Sequence, residues 1–464
     1  MVTHRGVSTA TRAGIEAAAI EELKAGLRGQ LLRPGDDAYD EARKLWNGIF
    51  DRRPALIARC AGTADVIRAV NFARDNALPA AVRGGGHSIP GHSVCDGGLV
   101  IDLSPMKAIR VDPRGRTARA QPGVKWIEFD HETQAFGLAT TGGTASDTGI
   151  AGLTLGGGLG WLSSKCGLTV DNLISADVVL ADGRFQTASA TENQDLFWGL
   201  RGGSGNFGVV TSFKYQLHAV GPTILGGIVA YPLPKAKEVF RFYREFNKAA
   251  PDELTIYAGF LNPPGGDTVV AFVCCYCGPL DKGEKIIRPL RSVCPPVVDM
   301  LGPLPYVAQQ RLFDAGFPAG SYYYTKTDFL ADLPDEAIEV IAEYAATMPS
   351  PLSGLLIQTI RGAASRVASD AMAFPHRKFP YGPTIFSQWI EAADVEKNVR
   401  WTRDFWKALH SFAGGGVYVN DLSHDDEDVV RHAYGANYER LVALKMKYDP
   451  DNFFRLNPNI KPAG

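Results

Sequence analysis

The residues with the most chemical content stand in one short run, Arg83-Gly84-Gly85-Gly86-His87-Ser88, between an apolar stretch (Leu78 to Val82) and the turn-forming Pro90-Gly91-His92. Three successive glycines remove every Cβ, so backbone N–H groups can converge on an anion and the chain can take φ > 0. The histidine that follows is held at the rim of that loop. An anion cradle with an imidazole at its edge points to a large anionic cofactor and a nucleophilic nitrogen beside it. A second cluster runs from Thr141-Gly142-Gly143-Thr144 through Thr148-Gly149-Ile150-Ala151-Gly152-Leu153 to Gly156-Gly157-Gly158-Leu159-Gly160. Its glycines are interleaved with apolar residues and hydroxyls and almost no charge, unlike a Ser-rich flexible linker. No Gly-Lys-Ser/Thr follows, which excludes a Walker loop. Gly156-x-Gly158-x-x leads into Trp161, which excludes the nicotinamide fingerprint. A third cluster, Arg201-Gly202-Gly203-Ser204-Gly205, ends in Gly208-Val209-Val210. Glycine at this density implies close backbone approach to a long ligand.

The elements that position these loops follow from periodicity. Ile15, Ala19, Leu23 and Leu27 fall on one face of a helix. Leu56 to Cys60 reads as a strand, and Thr63 as the N-cap of a helix running to Asn76 with Val66, Ile67 and Val70 inward. Leu78 to Val82, Leu99 to Leu103 and Thr117 to Ala120 read as short strands. Near Gly221-Pro222 the texture changes. Long amphipathic helices (Ala236 to Ala250, Asp335 to Ala346) alternate with strands at Thr255 to Leu261, Val269 to Tyr276, Leu355 to Ile360 and Thr384 to Trp389. The expected fold is therefore α+β in two domains, residues 1–221 and 222–435. The second is an antiparallel sheet covered by helices on one side.

Composition sets the outer limits. A chain of 464 residues with 45% hydrophobic and 21% charged residues is an ordinary globular chain with room for a large core. A net charge of −2 points to neither nucleic acid nor an anionic membrane surface. No apolar run is long enough to span a bilayer. Met1 to Ser8 has no hydrophobic leader segment, and the expected location is the cytoplasm. Among seven cysteines, Cys274-Cys275-x-Cys277 lie on an apolar strand-like run. Neighbours there face opposite sides, so they do not converge on a metal. No metal site is expected, and nothing in the pattern indicates an oligomeric state.

In order, these motifs resemble the berberine-bridge-enzyme-like branch of the vanillyl-alcohol-oxidase flavoproteins, with a PCMH-type FAD-binding domain. The resemblance covers nearly the whole chain. It rests on Arg83 to Ser88, the glycine block from Gly142 to Gly160, Ala176 to Gly183, Asp195 to Gly203 and Ala373-Phe-Pro-His376-Arg. It closes with Asn437 to Leu441 and Tyr448 to Ile460. It implies FAD bound covalently through His87, with Val82, Ser88, Gly91 and His92 nearby and Arg83 as a pyrophosphate partner. It implies that the glycine loops wrap the pyrophosphate and that residues 436–464 return to the flavin domain, bringing Asn457 and Asn459 toward the flavin ring. Many relatives carry a second tether, a cysteine in Cys-Pro-Thr-Val. This chain has Ala145-Ser146-Asp147-Thr148 there, and Cys166 lies beyond the glycines, so a single tether is expected.

The resemblance also implies hydride transfer from a small-molecule C–H next to a hydroxyl or amine, with O2 reoxidising the flavin to give hydrogen peroxide. Substrate classes are sugars, alkaloid-like amines and secondary-metabolite alcohols. A dehydrogenase with another acceptor, or a flavin binder without turnover, is the alternative. Oxygen access would depend on the stretch from Ala151 to Leu153. The base stays open among positions. Gln388 stands where the berberine bridge enzyme has its glutamate, but an amide is no base at neutral pH. Asp421, in Tyr418-Val-Asn420-Asp421, stands where cannabinoid-forming relatives have a tyrosine, and a carboxyl in a partly desolvated pocket can serve as base. Alternation puts Tyr322, Tyr324 and Lys326 on one strand face, where the ammonium can lower the phenol's pKa. Asn457 completes the catalytic candidates, and His376 is read as structural.

Overall fold

The structure, a computed structural model, describes residues 15–262, 266–426 and 429–463. The leader reading of Met1 to Ser8, and the acids Glu427 and Asp428 that follow Asp425 and Asp426, lie outside those residues.

The chain opens with α1 (Ala17–Gly26), β1 (Gln30–Leu32), β2 (Leu56–Arg59), α2 (Thr63–Asp75), β3 (Ala80–Arg83) and β4 (Leu99–Asp102). The four strands form one sheet in the order β1-β2-β4-β3, with β2 and β3 parallel to β4. Leu56, Ile57, Leu99, Val100 and Ile101 are buried, as strands covered on both faces require. Thr63 is the first residue of α2 rather than its cap. Gly62, in extended backbone, takes the cap position. Asp65 staples the chain ahead of the helix by accepting the N–H groups of Arg28, Gly29 and Ala61 at 2.8 to 3.0 Å.

β5 (Ile109–Asp112), β6 (Thr117–Ala120), α3 (Trp126–Gln134), α4 (Ile150–Leu155), β7 (Leu173–Val179), β8 (Phe185–Ser189) and β9 (Val209–Gln216) complete the first half. Their strands make an antiparallel sheet, β5-β6-β9-β7-β8. Along β9, Phe213 and Tyr215 alternate inward, with rings stacked at 5.9 Å.

The large sheet begins at Thr223. It contains β10 (Thr223–Pro232), β11 (Leu254–Leu261), β12 (Val269–Tyr276), β13 (Tyr322–Thr327), β14 (Gly354–Thr359) and β15 (Tyr381–Trp389), in the order β10-β12-β11-β14-β15-β13. Two short strands, Val298–Asp299 and Gly302–Pro305, pair with β10, and every pairing is antiparallel. Helices α5 (Ala236–Ala249), α6 (Asp335–Ala345) and α7 (Val395–His410) cover one face, burying Phe240, Ile338 and Phe405 against Phe260, Ile357 and Ile385. The other face packs toward the first half, where Tyr257, Val273 and Cys275 meet Trp161 and Leu162. Cys274 and Cys275 fall in these two opposite cores, as strand alternation dictates.

The chain rejoins the first half at Val417, ahead of residue 436. Val417, Val419 and Leu422 share a core with Trp198 and Phe207. Helix α8 (Tyr438–Tyr448) joins that core through Leu441 and Leu444 and carries a fully buried pair, Lys445 with Asp449 at 2.6 Å. Lys445 also donates to the carbonyls of Asn206 and Phe454, and Asp449 accepts the N–H groups of Phe453 and Phe454. This buried node turns the tail back toward β9. Among the described residues, no helix is long and apolar enough to cross a membrane.

Candidate active site

The turn after β3 and the approach to α4 meet back to back. A Cβ built on Gly85 would lie 2.5 Å from the Gly149 Cα, and one on Gly149 would lie 2.6 Å from the Gly85 Cα. Only glycine permits that contact. It lets both loops form one wall of a cavity of about 380 Å3 between the first half and the large sheet. That wall carries Val82, Gly84, Gly85, Gly86, His87 and Ser88 from the β3 turn. It continues with Thr144, Thr148, Gly149, Gly152 and Leu153, and with Gly208, Val209 and Val210 leading into β9. The tail adds Phe454, Leu456 and Asn457. The facing wall is β11, β13, β14 and β15, presenting Leu261, Tyr323, Thr325, Leu356, Gln358, Thr384 and Phe386.

The first wall suits a long anionic group. The N–H groups of Gly84 through Ser88 donate to no described residue, which leaves a run of free donors. Gly152 and Gly205 line the cavity and have no atom within 4 Å of a Cβ position, so their backbone is open to a ligand. Asn457 donates its amide N–H2 to the carbonyls of Gly205 and Phe454 and keeps a buried Oδ1 with no partner among the described residues. His92 lines the same wall, and burial, with Arg52 nearby, pushes its pKa down to about 4, so it is neutral at pH 7.

His87 is fixed on both sides. Its ring stacks on Trp46 at 4.0 Å and 19°, and Trp46 stacks in turn on Tyr323 at 3.7 Å and 17°. His87 Nε2 lies 3.3 Å from Asp147 Oδ1, a close contact without the angle of an aligned hydrogen bond. Burial raises the Asp147 pKa, but His87 and Lys125 outweigh it, and the carboxyl ends below its ordinary value.

On the facing wall Asp421 is enclosed except where it opens onto the cavity, and Oδ2 accepts the Thr384 hydroxyl at 2.7 Å. Burial lifts its pKa to about 6, and the Thr384 bond opposes that rise. Beside it, the Tyr418 hydroxyl accepts the N–H groups of Gly158 and Leu159 at 3.1 and 3.3 Å, and accepts from Asn420 Nδ2 at 2.9 Å. The segment bearing the acid is thus tied to the glycine block.

Residues 54–189 match the family model described as an FAD binding domain, and residues 417–461 match the one described as berberine and berberine like. An FAD-linked oxidoreductase of Dictyostelium discoideum is 34% identical over 96% of this chain and 97% of its own length. The chain belongs to the berberine-bridge-enzyme-like family of FAD-linked oxidoreductases. Crystalline 6-hydroxy-D-nicotine oxidase from Arthrobacter nicotinovorans superposes with a TM-score of 0.86 at 31% identity, over 94% of this chain and 98% of that one. A chitooligosaccharide oxidase superposes at 0.84 with 25% identity, over 96% and 100%. The chain is accordingly an FAD-linked enzyme of the α+β, PCMH-type fold.

Within that family frame, several expected site residues face elsewhere. Tyr324 and Lys326 lie on the strand face turned away from the cavity. The residues that reach it from β13 are Tyr323 and Thr325. The Tyr324 hydroxyl donates to Asp425 at 2.9 Å and accepts from Arg403 at 3.0 Å. Burial and the Asp425 charge push its pKa up, opposite to the expected activation. Lys326 is taken by Asp425 and Asp426. Gln388 sits opposite Tyr323 in the β13–β15 register but is buried off the cavity.

Arg83 does not line the cavity; its guanidinium lies behind Gly86 and donates to the Ala42 carbonyl. Trp161 is core, packed between Tyr257 and Phe313. Asn459 lies just past the wall, with a buried Oδ1 unpaired among the described residues. Six glycines also leave the wall. A Cβ on Gly156 would meet Asn420, on Gly157 Phe374, on Gly158 Thr169 and on Gly160 the Gly142 carbonyl. One on Gly91 would meet Phe50, and one on Gly143 Leu153. Their close approach is chain on chain.

Cys166 is buried beside Cys277 off the cavity, its thiol pushed up to about 12 by burial, while Ala145 lines the cavity. His376 is buried, with Nε2 2.8 Å from the Ala433 carbonyl and its ring on Phe329. Trp46, Asp147, Thr384 and the cavity face of β13 were not singled out by sequence. Only Asp147 had a signal, its place in the segment that replaces the second tether.

Proposed function

We propose that this flavoenzyme is an oxidase that takes hydride from a carbon bearing an amine or hydroxyl on a small, largely apolar ring, with FAD tethered through His87 alone and O2 as the final acceptor, giving hydrogen peroxide. The observation that carries this reading is Asp421: a carboxyl on the cavity wall opposite the FAD loops, with one oxygen fixed by Thr384 and a pKa of about 6. Bound FAD supplies a two-electron acceptor for hydride. The chain supplies the rest. Asp421 Oδ1, the oxygen not held by Thr384, receives the amine or hydroxyl proton as the C–H bond breaks. Thr384 orients the carboxylate, and Tyr418 and Asn420 hold its segment against the glycine block.

Leu261, Phe313, Phe317, Leu356 and Phe386 exclude water around the reacting carbon. Set against those side chains, Gln358, Thr325, Thr384 and Asp421 are few polar groups for a sugar's many hydroxyls. The wall therefore favours the chemistry in the name of the hydroxynicotine oxidase over that of the chitooligosaccharide oxidase. Free cysteines throughout the chain support a reducing compartment such as the cytoplasm.

The test is anaerobic mixing with two panels, cyclic or benzylic amines and alcohols against oligosaccharides, followed by air. Bleaching by the first panel, with prompt reoxidation and one peroxide per turnover, is expected. Bleaching by oligosaccharides alone overturns the substrate class, and slow reoxidation in air identifies a dehydrogenase. Failure of both panels, where dithionite bleaches the flavin, identifies a binder without turnover.

A further inference from the structure

We propose that Asp147 is the residue that makes His87 a nucleophile toward the 8α-methyl of FAD, taking its place in the segment where a second, thiol tether is missing; this rests on the single His87 tether proposed above. Asp147 Oδ1 is 3.3 Å from Nε2, which makes no aligned hydrogen bond of its own. A carboxylate on Nε2 selects the tautomer with its proton there and leaves the Nδ1 lone pair free. The ring cannot swing to offer the other nitrogen, because Trp46 stacks on it and is itself held by Tyr323 and by an Nε1–H bond to the Phe317 carbonyl at 3.1 Å.

Asp147 is equally well placed. The preceding Ser146 is clamped by Asp314 through its N–H at 3.0 Å and its hydroxyl at 2.6 Å, so the loop is anchored to the second domain. The carboxyl is ionised at neutral pH, held down mainly by His87 against the effect of burial.

The chemistry balances. Nδ1 forms a bond to C8α, one methyl C–H breaks, and the imidazole gives its Nε2 proton to Asp147. The two electrons released reduce the flavin, and O2, named here as the oxidant, takes them with two protons to leave as hydrogen peroxide. Imidazole, methyl-flavin and O2 thus give the methylene-linked, oxidised flavin and H2O2. Asp147 works twice, by setting the tautomer and by stabilising the positive charge that N-alkylation puts on the ring.

The test is the rate of covalent attachment, read as intact mass after denaturation. Protein expressed under flavin limitation is given FAD in air. Wild type gains one FAD on the His87 peptide. Asp147→Asn binds FAD, seen by quenching of tryptophan fluorescence, but attaches it roughly 100-fold more slowly, and Asp147→Glu recovers much of the rate. Equal attachment rates in Asp147→Asn and wild type overturn the role of Asp147 while leaving the tether standing. Wild type with no adduct overturns the tether itself, and the inference with it. An Asp147→Asn protein that takes up no FAD also overturns it, since the carboxylate would then be holding the loop and not serving the histidine.

Discussion

Replacing Asp421 by asparagine separates the chemistry from the architecture. The side chain keeps its shape and can still bond to Thr384, but it can no longer take a proton. Loss of a positioned base slows the step it serves by about 10²–10⁴-fold, so anaerobic flavin reduction should fall by that factor while FAD content stays at wild-type level. The wild-type reduction rate should rise with pH and level off above about 6, because burial places the Asp421 pKa there and only the ionised form is a base. Thr384→Val removes the bond that favours the charged form, so the rising limb should move to higher pH.

Stability carries the opposite sign. A folded-state pKa raised from 3.8 to about 6 means a contribution that is present at low pH and lost as pH climbs through 6, amounting to roughly 3 kcal/mol. The asparagine variant escapes that loss. It should melt higher than wild type at pH 8, with the difference closing toward pH 4. Stopped-flow reduction and melting curves across pH 4 to 8 measure both. A variant reduced as fast as wild type at pH 7, or a melting difference independent of pH, refutes the assignment.

Other perturbations test the geometry. Tyr324→Phe should leave flavin reduction unchanged and cost about 1 kcal/mol of stability, because its hydroxyl serves Asp425 and Arg403 behind the sheet. A large fall in its reduction rate would restore Tyr324 as the base. Gly85→Ala drives a Cβ into Gly149. It should abolish FAD uptake and destabilise by about 1–3 kcal/mol, seen as colourless protein with a lowered melting midpoint. Lys445→Met leaves Asp449 as an unpaired buried charge and should cost about 3–5 kcal/mol, seen as a lowered melting midpoint.

The sequence was most legible where function makes demands on the backbone itself. The run from Gly84 to Ser88 and the approach to α4 need conformations and contacts that only glycine allows, and each requirement is local, so the residues announce it. The large sheet was legible as a sheet for the same reason: alternation and length are local properties. Which face of a strand meets the cavity is not local. β13 offers Tyr322, Tyr324 and Lys326 on one side and Tyr323 and Thr325 on the other, and both sides are rich in polar and aromatic atoms. The choice is made by α7, which brings Arg403 against the even-numbered side, and by Trp46, which stacks on Tyr323 from the other domain. Trp46 lies in a part of the chain with no pattern around it, so nothing in its neighbourhood could reveal that it clamps His87.

The glycines carry a further lesson about what composition can report. Gly84, Gly85, Gly149 and Gly152 line the cavity, yet only Gly152 has open space at its Cβ position, since Gly85 and Gly149 face each other and Gly84 faces the Pro122 carbonyl; Gly156, Gly157, Gly158 and Gly160, equally dense and off the cavity, face Asn420, Phe374, Thr169 and Gly142. A missing Cβ says that something is close, and backbone, side chain and ligand satisfy it equally. Yet the second group is tied to the chemistry by one step. Gly158 and Leu159 donate to the Tyr418 hydroxyl, Gly156 packs on Asn420, and the next residue is Asp421. The glycines that do not line the cavity seat the segment that carries Asp421. One glycine block therefore shapes the cavity wall through its first half and seats the proposed base through its second. A side chain grown at Gly156 should accordingly displace Asp421 before it disturbs FAD.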